Sequence, residues 1–249
     1  MSQPLHMIEL RLNAERLICF AQEHGLNQAR DEDLGYCVHA WLAAAFGELA
    51  PKPYRLFDPA GFGQHGKRGL CLLGYITHTA ASLQDHARTF ATPLTLSVCN
   101  LADLDHAKAM PAGWCPGRRL GFEVLACPVS RHENDEKDVF LRRVEAAGAE
   151  APPLQRATVY ADWLARQLTP TARLESMRLA GFRLVRMLRR TQPTDQQPYR
   201  PAPRITRPQA LLEGELMVQD GAAFNDYLAR GIGRHRAFGY GMLLLRPAQ

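Results

Sequence analysis

The sequence predicts an α+β protein made of two successive βαββαβ units, each a four-stranded antiparallel sheet backed by two helices. Three observations carry this expectation. Apolar residues alternate with polar ones at Ile8, Leu10 and Leu12 and again at Leu120, Phe122, Val124 and Ala126, the period-two pattern of half-buried strands. Segments with helical apolar spacing follow each of these strands. Between the two halves lies a break rich in Pro and Gly, residues 111–117, after which the order of elements starts again.

In the first half, Asp31 or Asp33 is placed to cap a helix running through Leu34, Val38, Trp41, Leu42 and Ala45 and ending near Gly47. Strands are expected over residues 54–57 and 70–77, separated by a turn around Gly61, Gly63 and Gly66. A helix over 82–90 and a strand over 94–99 complete the unit. In the second half, residues 139–147 and 158–168 have helical spacing. In residues 174–190, Gly181 and the mixed spacing fit a long bent strand as well as a basic helix, and the strand is the reading favoured here. Residues 191–208, rich in Pro, Gln and Arg, are expected as a hairpin tip or loop. A strand over 212–218, a short helix over 222–230 and a last strand over 241–245 follow. The economical architecture is two tandem ferredoxin-like units, residues 1–113 and 117–249.

Composition narrows the function. At 249 residues and 46% apolar content the chain is long enough for one large core or two smaller ones. No stretch approaches the roughly 20 apolar residues of a membrane span, and the first ten residues lack the basic start and apolar run of a signal peptide, so a cytoplasmic protein is expected. Six cysteines lie far apart without a C-x-x-C pair and are expected to be buried, reduced thiols. Neither they nor the nine histidines have the close ligand pairs of a zinc site, so no metal and no cofactor are expected.

Charge is concentrated. Between Arg173 and Arg207 lie Arg178, Arg183, Arg186, Arg189, Arg190, Arg200 and Arg204, opposed by Glu175 and Asp195, so this segment exceeds the net +5 of the whole chain. Such a cluster is the footprint of a polyanion partner. Arginine greatly outnumbers lysine, and its planar fork pairs bidentately with phosphate or guanine. A second basic element is Gly231-Ile232-Gly233-Arg234-His235-Arg236-Ala237-Phe238-Gly239-Tyr240-Gly241. It is not a dinucleotide fingerprint, because Arg236 holds the place of the third glycine and the order is helix, loop, strand. Gly231, Gly233, Gly239 and Gly241 allow positive φ and close backbone approach, while Arg234, His235 and Arg236 bring charge, a combination that suits a phosphodiester backbone.

This segment, followed by the apolar run MLLL, resembles the glycine-rich loop of the CRISPR repeat endoribonucleases, in particular the CasE group of the type I-E system. YADWLARQL (160–168), LESMRLAGFRLVRMLRR (174–190), ALLEGELMVQD (210–220) and GRRLGFEVLACPVSR (117–131) resemble further parts of that group in the same order. The likeness does not extend to residues 13–28 and 58–68, as in a divergent subtype from a type IV or other minimal system. The resemblance implies tandem ferredoxin-like domains and metal-free cleavage of precursor RNA at the base of a repeat hairpin. It also implies retention of the mature guide RNA and partnership with the other subunits of an interference complex.

Metal-free cleavage needs a group to deprotonate the 2′-hydroxyl and another to protonate the leaving 5′ oxygen, and histidine serves either role near neutral pH. On the first predicted helix, Tyr36 and His39 stand three residues apart, hence adjacent, on the side opposite Val38, Trp41 and Ala45. They resemble the Tyr-x-x-His element of CasE proteins, where the histidine is catalytic and the tyrosine assists. Arg30 and Arg234 or Arg236 are candidates to neutralise the transition state. Arg178, Arg183, Arg186, Arg189 and Arg190 are expected to contact the RNA stem through its phosphates. Two alternatives stand beside the enzyme: a structural subunit that binds the hairpin without cutting, and an unrelated protein with RRM-like domains, although the aromatic signature of the latter is not found.

Overall fold

The structure, a computed structural model, describes residues 4–26, 34–58, 69–133, 135–148, 150–188 and 204–248. Its first half runs β1 (His6–Arg11), α1 (Ala14–Glu23), α2 (Leu34–Phe46), β2 (Tyr54–Phe57), β3 (Cys71–Ile76), α3 (Ala80–Phe90), α4 (Pro93–Leu96) and β4 (Lys108–Ala109). The strands form an antiparallel sheet in the order β2-β3-β1-β4. In its register Ile8 stands opposite Gly74 and Leu10 opposite Leu72. Ile8, Leu10 and Leu72 are buried with Phe20, Val38, Trp41, Leu42 and Phe46, so the alternation read from the sequence is the alternation of core and outer face.

The second half runs β5 (Arg119–Ala126), β6 (Val129–His132), β7 (Asp135–Asp138), α5 (Val139–Ala147), α6 (Arg156–Leu168), β8 (Ala172–Leu188), β9 (Arg204–Val218), α7 (Gly221–Arg230) and β10 (Leu243–Pro247). Its sheet order is β10-β5-β9-β8, the same topology as in the first half. Both halves are ferredoxin-like. Leu120, Phe122, Val124, Leu212 and Leu216 form one core with Tyr160, Trp163, Leu164, Phe224 and Leu228 from the helices. Leu125, Leu211, Met187 and Tyr240 pack on the opposite face of the sheet. On that face Leu125 and Met187 line a cavity shared with Leu34, Gly35 and Arg55 of the first half.

Residues 172–188 resolve the strand-or-helix choice as a strand, joined to β9 from Ala172↔Val218 to Leu188↔Arg204. Its mixed spacing comes from register shifts between Leu174 and Ser176 and between Leu179 and Gly181, each of which changes the face to which later side chains point. The expected loop 191–208 is shorter than foreseen, because residues 204–208 already belong to β9; residues 191–203 lie outside the described residues.

Other expectations are corrected. Residues 94–99 do not form the fourth strand. Thr92 accepts a hydrogen bond from Thr95 N at 3.2 Å with Pro93 at the first helical position, which is the start signature of a helix. The edge strand is instead β4, paired with His6 and Met7. The segment 14–23, to which the sequence reading assigned no element, is a helix capped by Asn13, with Leu17, Phe20 and Ala21 spaced to bury one stripe. The ribbon β6–β7 was not foreseen. Cys37, Cys71 and Cys127 are buried thiols, but Cys19 and Cys115 are exposed.

The halves are joined by polar contacts as well as packing. Tyr75 Oη of β3 donates to the Leu243 carbonyl of β10 at 2.8 Å. Arg55 of β2, 3% exposed, lies 3.9 Å from Glu123 of β5. Burial pushes the Arg55 guanidinium down to about 10, opposed chiefly by Glu123. It therefore stays charged at neutral pH, and the ion pair crosses between the halves.

Candidate active site and nucleic-acid interface

Helix α2 buries Cys37, Val38, Trp41, Leu42, Ala45 and Phe46. Trp41 Nε1 donates to the Thr95 carbonyl at 3.0 Å, which fixes the rotation of the helix about its axis. Tyr36 and His39 are thereby left half-buried on the face away from this core. What they meet there is Phe238 of the glycine-rich loop, contributed by the other half of the chain. The His39 ring stands edge-on to Phe238 with centroids 5.0 Å apart, and Tyr36 stacks on it at 6.3 Å. Two residues singled out near one end of the sequence are thus joined to a segment two hundred positions later.

The loop is held rigidly. Ile232 N donates to the Gly241 carbonyl and Gly241 N to the Leu125 carbonyl, each at 2.8 Å, closing the loop at its base. A Cβ on Gly241 would lie 2.1 Å from the Ile232 carbonyl oxygen, and its φ is +80°, so only glycine fits. Gly233 similarly admits the Trp163 ring, 2.9 Å from where its Cβ would be. The close approaches described for these glycines are to the chain itself. Tyr54 of β2 fastens the loop to α2: its buried Oη lies 3.0 Å from the Ala237 carbonyl and 3.3 Å from that of Gly35. Sequence reasoning read Tyr54 only as a strand residue.

Charge around the loop is organised by Glu136 of β7. One carboxylate oxygen is 2.5 Å from His235 Nε2 and 3.3 Å from Arg207 Nε, and the other accepts from Arg234 Nε at 2.8 Å. Burial alone would raise the Glu136 carboxyl, but hydrogen bonds and charge from His235 and Arg234 hold it below its ordinary value. His235 has φ +61°, a left-handed geometry uncommon outside glycine, and the carboxylate receives its ring. Arg234 therefore lines the cleft with Lys52 and His235 while its guanidinium is engaged by Glu136. Arg236 Nη1 donates to the Arg230 carbonyl at 2.6 Å at the end of α7.

His39 has a proton affinity below that of an ordinary histidine, first because burial disfavours the imidazolium and second because Lys52 is close by. At neutral pH it is a neutral imidazole able to accept a proton. Lys52 was not singled out by sequence reasoning; it lies between the buried Pro51 and Pro53 just before β2, with no motif to mark it.

Among the basic residues, Arg183 and Arg186 line a cavity of about 170 Å³ between the second sheet and Arg55, Asp58 and Phe238. Arg183 Nε donates to Gln209 Oε1 at 2.5 Å, and Gln209 Nε2 donates to Tyr240 Oη at 3.0 Å, which links that arginine to the loop. Arg178 lies farther along β8, highly exposed and paired with Glu213 at 2.5 Å. Arg30, Arg189 and Arg190 lie outside the described residues.

Two ferredoxin-like halves, with a glycine-rich loop of the second seated against a Tyr–His pair of the first, define a tandem ferredoxin-like protein with a site between its halves. The family model described as CRISPR associated protein matches residues 5–247, and the chain belongs to that family. Its fold is that of the CRISPR endoribonuclease Cse3 bound to a 19-nucleotide RNA, at 19% identity and a TM-score of 0.61 over 98% of this chain and 100% of that one. Thermus thermophilus Cse3 bound to an RNA representing a pre-cleavage complex matches at 18% identity and a TM-score of 0.60, with 98% and 100% covered. The CRISPR-associated protein Cas6e from Escherichia coli K-12 matches at 17% identity and a TM-score of 0.55, again over 98% and 100%. No curated protein matches the chain. At these identities the likeness is one of fold.

Proposed function

We propose that this chain is a cytoplasmic CRISPR precursor RNA endoribonuclease that binds a repeat hairpin and cleaves at its base without a metal, by attack of the 2′-hydroxyl on the adjacent phosphate. The observation that carries the reading is the meeting of Tyr36 and His39 with Phe238. A protein that only held RNA would have no need of a half-buried histidine kept neutral beside a lysine. The family, and the RNA in the solved Cse3 structures, support the substrate class.

In this mechanism His39 takes the 2′-hydroxyl proton, Tyr36 positions the attacking group, and Lys52 with the loop cations Arg234 and Arg236 offsets charge on the pentacoordinate phosphate. The bond from phosphorus to the 5′ oxygen breaks and that oxygen takes a proton from solvent water, giving a 2′,3′-cyclic phosphate and a 5′-hydroxyl. Residues 1–113 supply the acid–base pair. Residues 117–249 supply the loop and, with Arg178, Arg183, Arg186, Arg189 and Arg190, the phosphate contacts that hold the hairpin. Product retention as a subunit of an interference complex is supported by the likeness to a chain of a CRISPR RNA-guided surveillance complex, 14% identical with a TM-score of 0.56.

The test is cleavage of the cognate repeat RNA in excess chelator, with end-group analysis, by wild type and His39→Ala. The expected outcome is cyclic-phosphate ends from wild type and a rate lower by roughly 10² to 10⁴ in the variant, the range for a lost general acid or base. Repeat affinity should stay within a few-fold. Dependence on metal or a 3′-hydroxyl product overturns the mechanism, and tight binding by wild type with no cutting makes the chain a structural guide-RNA subunit.

A further inference from the structure

A second recess lies away from Tyr36 and His39. A cavity of about 500 Å³ opens between α5, α6 and the β6–β7 ribbon, with Gly233 and Arg234 on its rim. Its volume lies in the range of about 300–1,000 Å³ typical of ligand sites. The apolar floor is Val139, Val159 and Trp163. Four arginines, Arg142, Arg143, Arg166 and Arg234, surround it, with Asp162 as an opposing acid. Two of the four are committed to the protein: Arg142 donates to the Asp135 carboxylate at 3.0 Å and Arg234 to Glu136 at 2.8 Å. Arg143 of α5 and Arg166 of α6 are exposed and form no ion pair among the described residues.

We propose that this cavity is a second RNA subsite that takes a nucleotide of the single strand flanking the hairpin, an assignment that rests on the RNA-processing reading. A base with an attached phosphate is the ligand that uses both halves of the site. The base lies against the valines and Trp163 of the cavity floor, and the phosphodiester sits between Arg143 and Arg166. Continuity supports this occupant. Gly233 and Arg234 line both this cavity and the cleft that contains Lys52 and Phe238, so a strand leaving the cleft passes over Arg234 into the recess. Gly233 packs on Trp163, which joins the floor of the subsite to the loop that faces His39.

The experiment measures equilibrium binding of labelled repeat hairpins, bare or with a single-stranded extension of about six nucleotides on the 5′ or the 3′ side, and of that extension alone. Wild type is compared with the Arg143→Glu/Arg166→Glu double variant. One extension should tighten wild-type binding, and the variant should bring the ratio of extended to bare affinity to about one. The salt dependence of the extended RNA should fall by about 1.4 log units per log unit of salt, roughly 0.7 for each lost single-strand phosphate contact. No gain from either extension in wild type, or a gain kept by the variant, overturns the subsite. An equal loss on the bare hairpin also overturns it, since the arginines would then serve the stem. The extension alone separates the two readings: if it binds wild type but not the variant while the cognate hairpin is neither preferred nor cut, the subsite stands and the repeat-processing reading fails.

Discussion

Tyr54→Phe removes one oxygen and should disturb catalysis more than stability. In the structure the Tyr54 hydroxyl is 3.0 Å from the Ala237 carbonyl and 3.3 Å from that of Gly35, so one O–H ties the glycine-rich loop to the first turn of α2. A net intramolecular hydrogen bond contributes about 0.5–1.5 kcal/mol. For a chain of this length 1 kcal/mol is a shift in Tm of about 2–4 °C, which differential scanning calorimetry resolves. The ring itself stays packed at Gly239, whose Cβ position is 3.3 Å from it, so no cavity term is added. The catalytic effect is larger because Ala237 directly precedes Phe238, the residue against which His39 and Tyr36 rest. A displacement of about 1 Å at a reacting centre costs up to roughly 10²-fold in rate. Single-turnover cleavage should therefore slow by about 10-fold or more, a conservative reading of that limit, while hairpin affinity changes little. A variant that loses the expected few degrees of Tm and cleaves at the wild-type rate would refute the claim that the loop must be fastened to α2.

The pH–rate profile of wild type should have an acid limb below 6.5, because burial first and Lys52 second disfavour the His39 imidazolium. Lys52→Met should move that limb upward, and an unmoved limb would dissociate Lys52 from His39. Arg183→Ala/Arg186→Ala should weaken hairpin binding and flatten its salt dependence by up to about 0.9 per contact removed; an unchanged slope would leave these arginines a solvated face. Glu136→Gln should destabilise the loop. The Glu136 carboxyl is held below its ordinary value, so it contributes stability that is present above the ordinary carboxylate range and lost as pH falls through the depressed value. Acid-unfolding curves of wild type and Glu136→Gln should therefore converge at low pH, and parallel curves would count against the cluster.

The fold was legible where the side-chain period was undisturbed. Leu120, Phe122 and Val124 alternate in the sequence and all face the same core, and α2 buries its predicted stripe. Legibility failed where a short-range signal overrode composition. Residues 94–99 are apolar enough for a strand, but Thr92 and Pro93 start a helix there. In β8, read as a strand, two register shifts break the period and left a helix as an alternative. At the site, Tyr36 and His39 were readable because a helix brings residues three apart together within one segment. Tyr54, Lys52 and Glu136 were not, since each acts through a contact between distant parts of the chain. Nothing local distinguishes Tyr54 from any other buried strand aromatic.

The division of labour between the halves explains why binding and cutting should be separable by mutation. His39 lies on a helix whose buried face packs in the first core, so its replacement leaves untouched both the second sheet and the long β8–β9 pair that carries Arg178, Arg183 and Arg186. The glycine-rich loop is different. It is built on the second sheet through the Gly241–Leu125 hydrogen bond, fastened to the first half through Tyr54, and loaded with cations that Glu136 gathers. A lesion there should reduce affinity and rate together, because the same segment presents charge to the RNA and forms the wall against which the histidine rests. The loop is where electrostatic capture and proton transfer share one rigid element, and Gly241, whose Cβ would strike the Ile232 carbonyl oxygen, is the position at which that sharing is least tolerant of change.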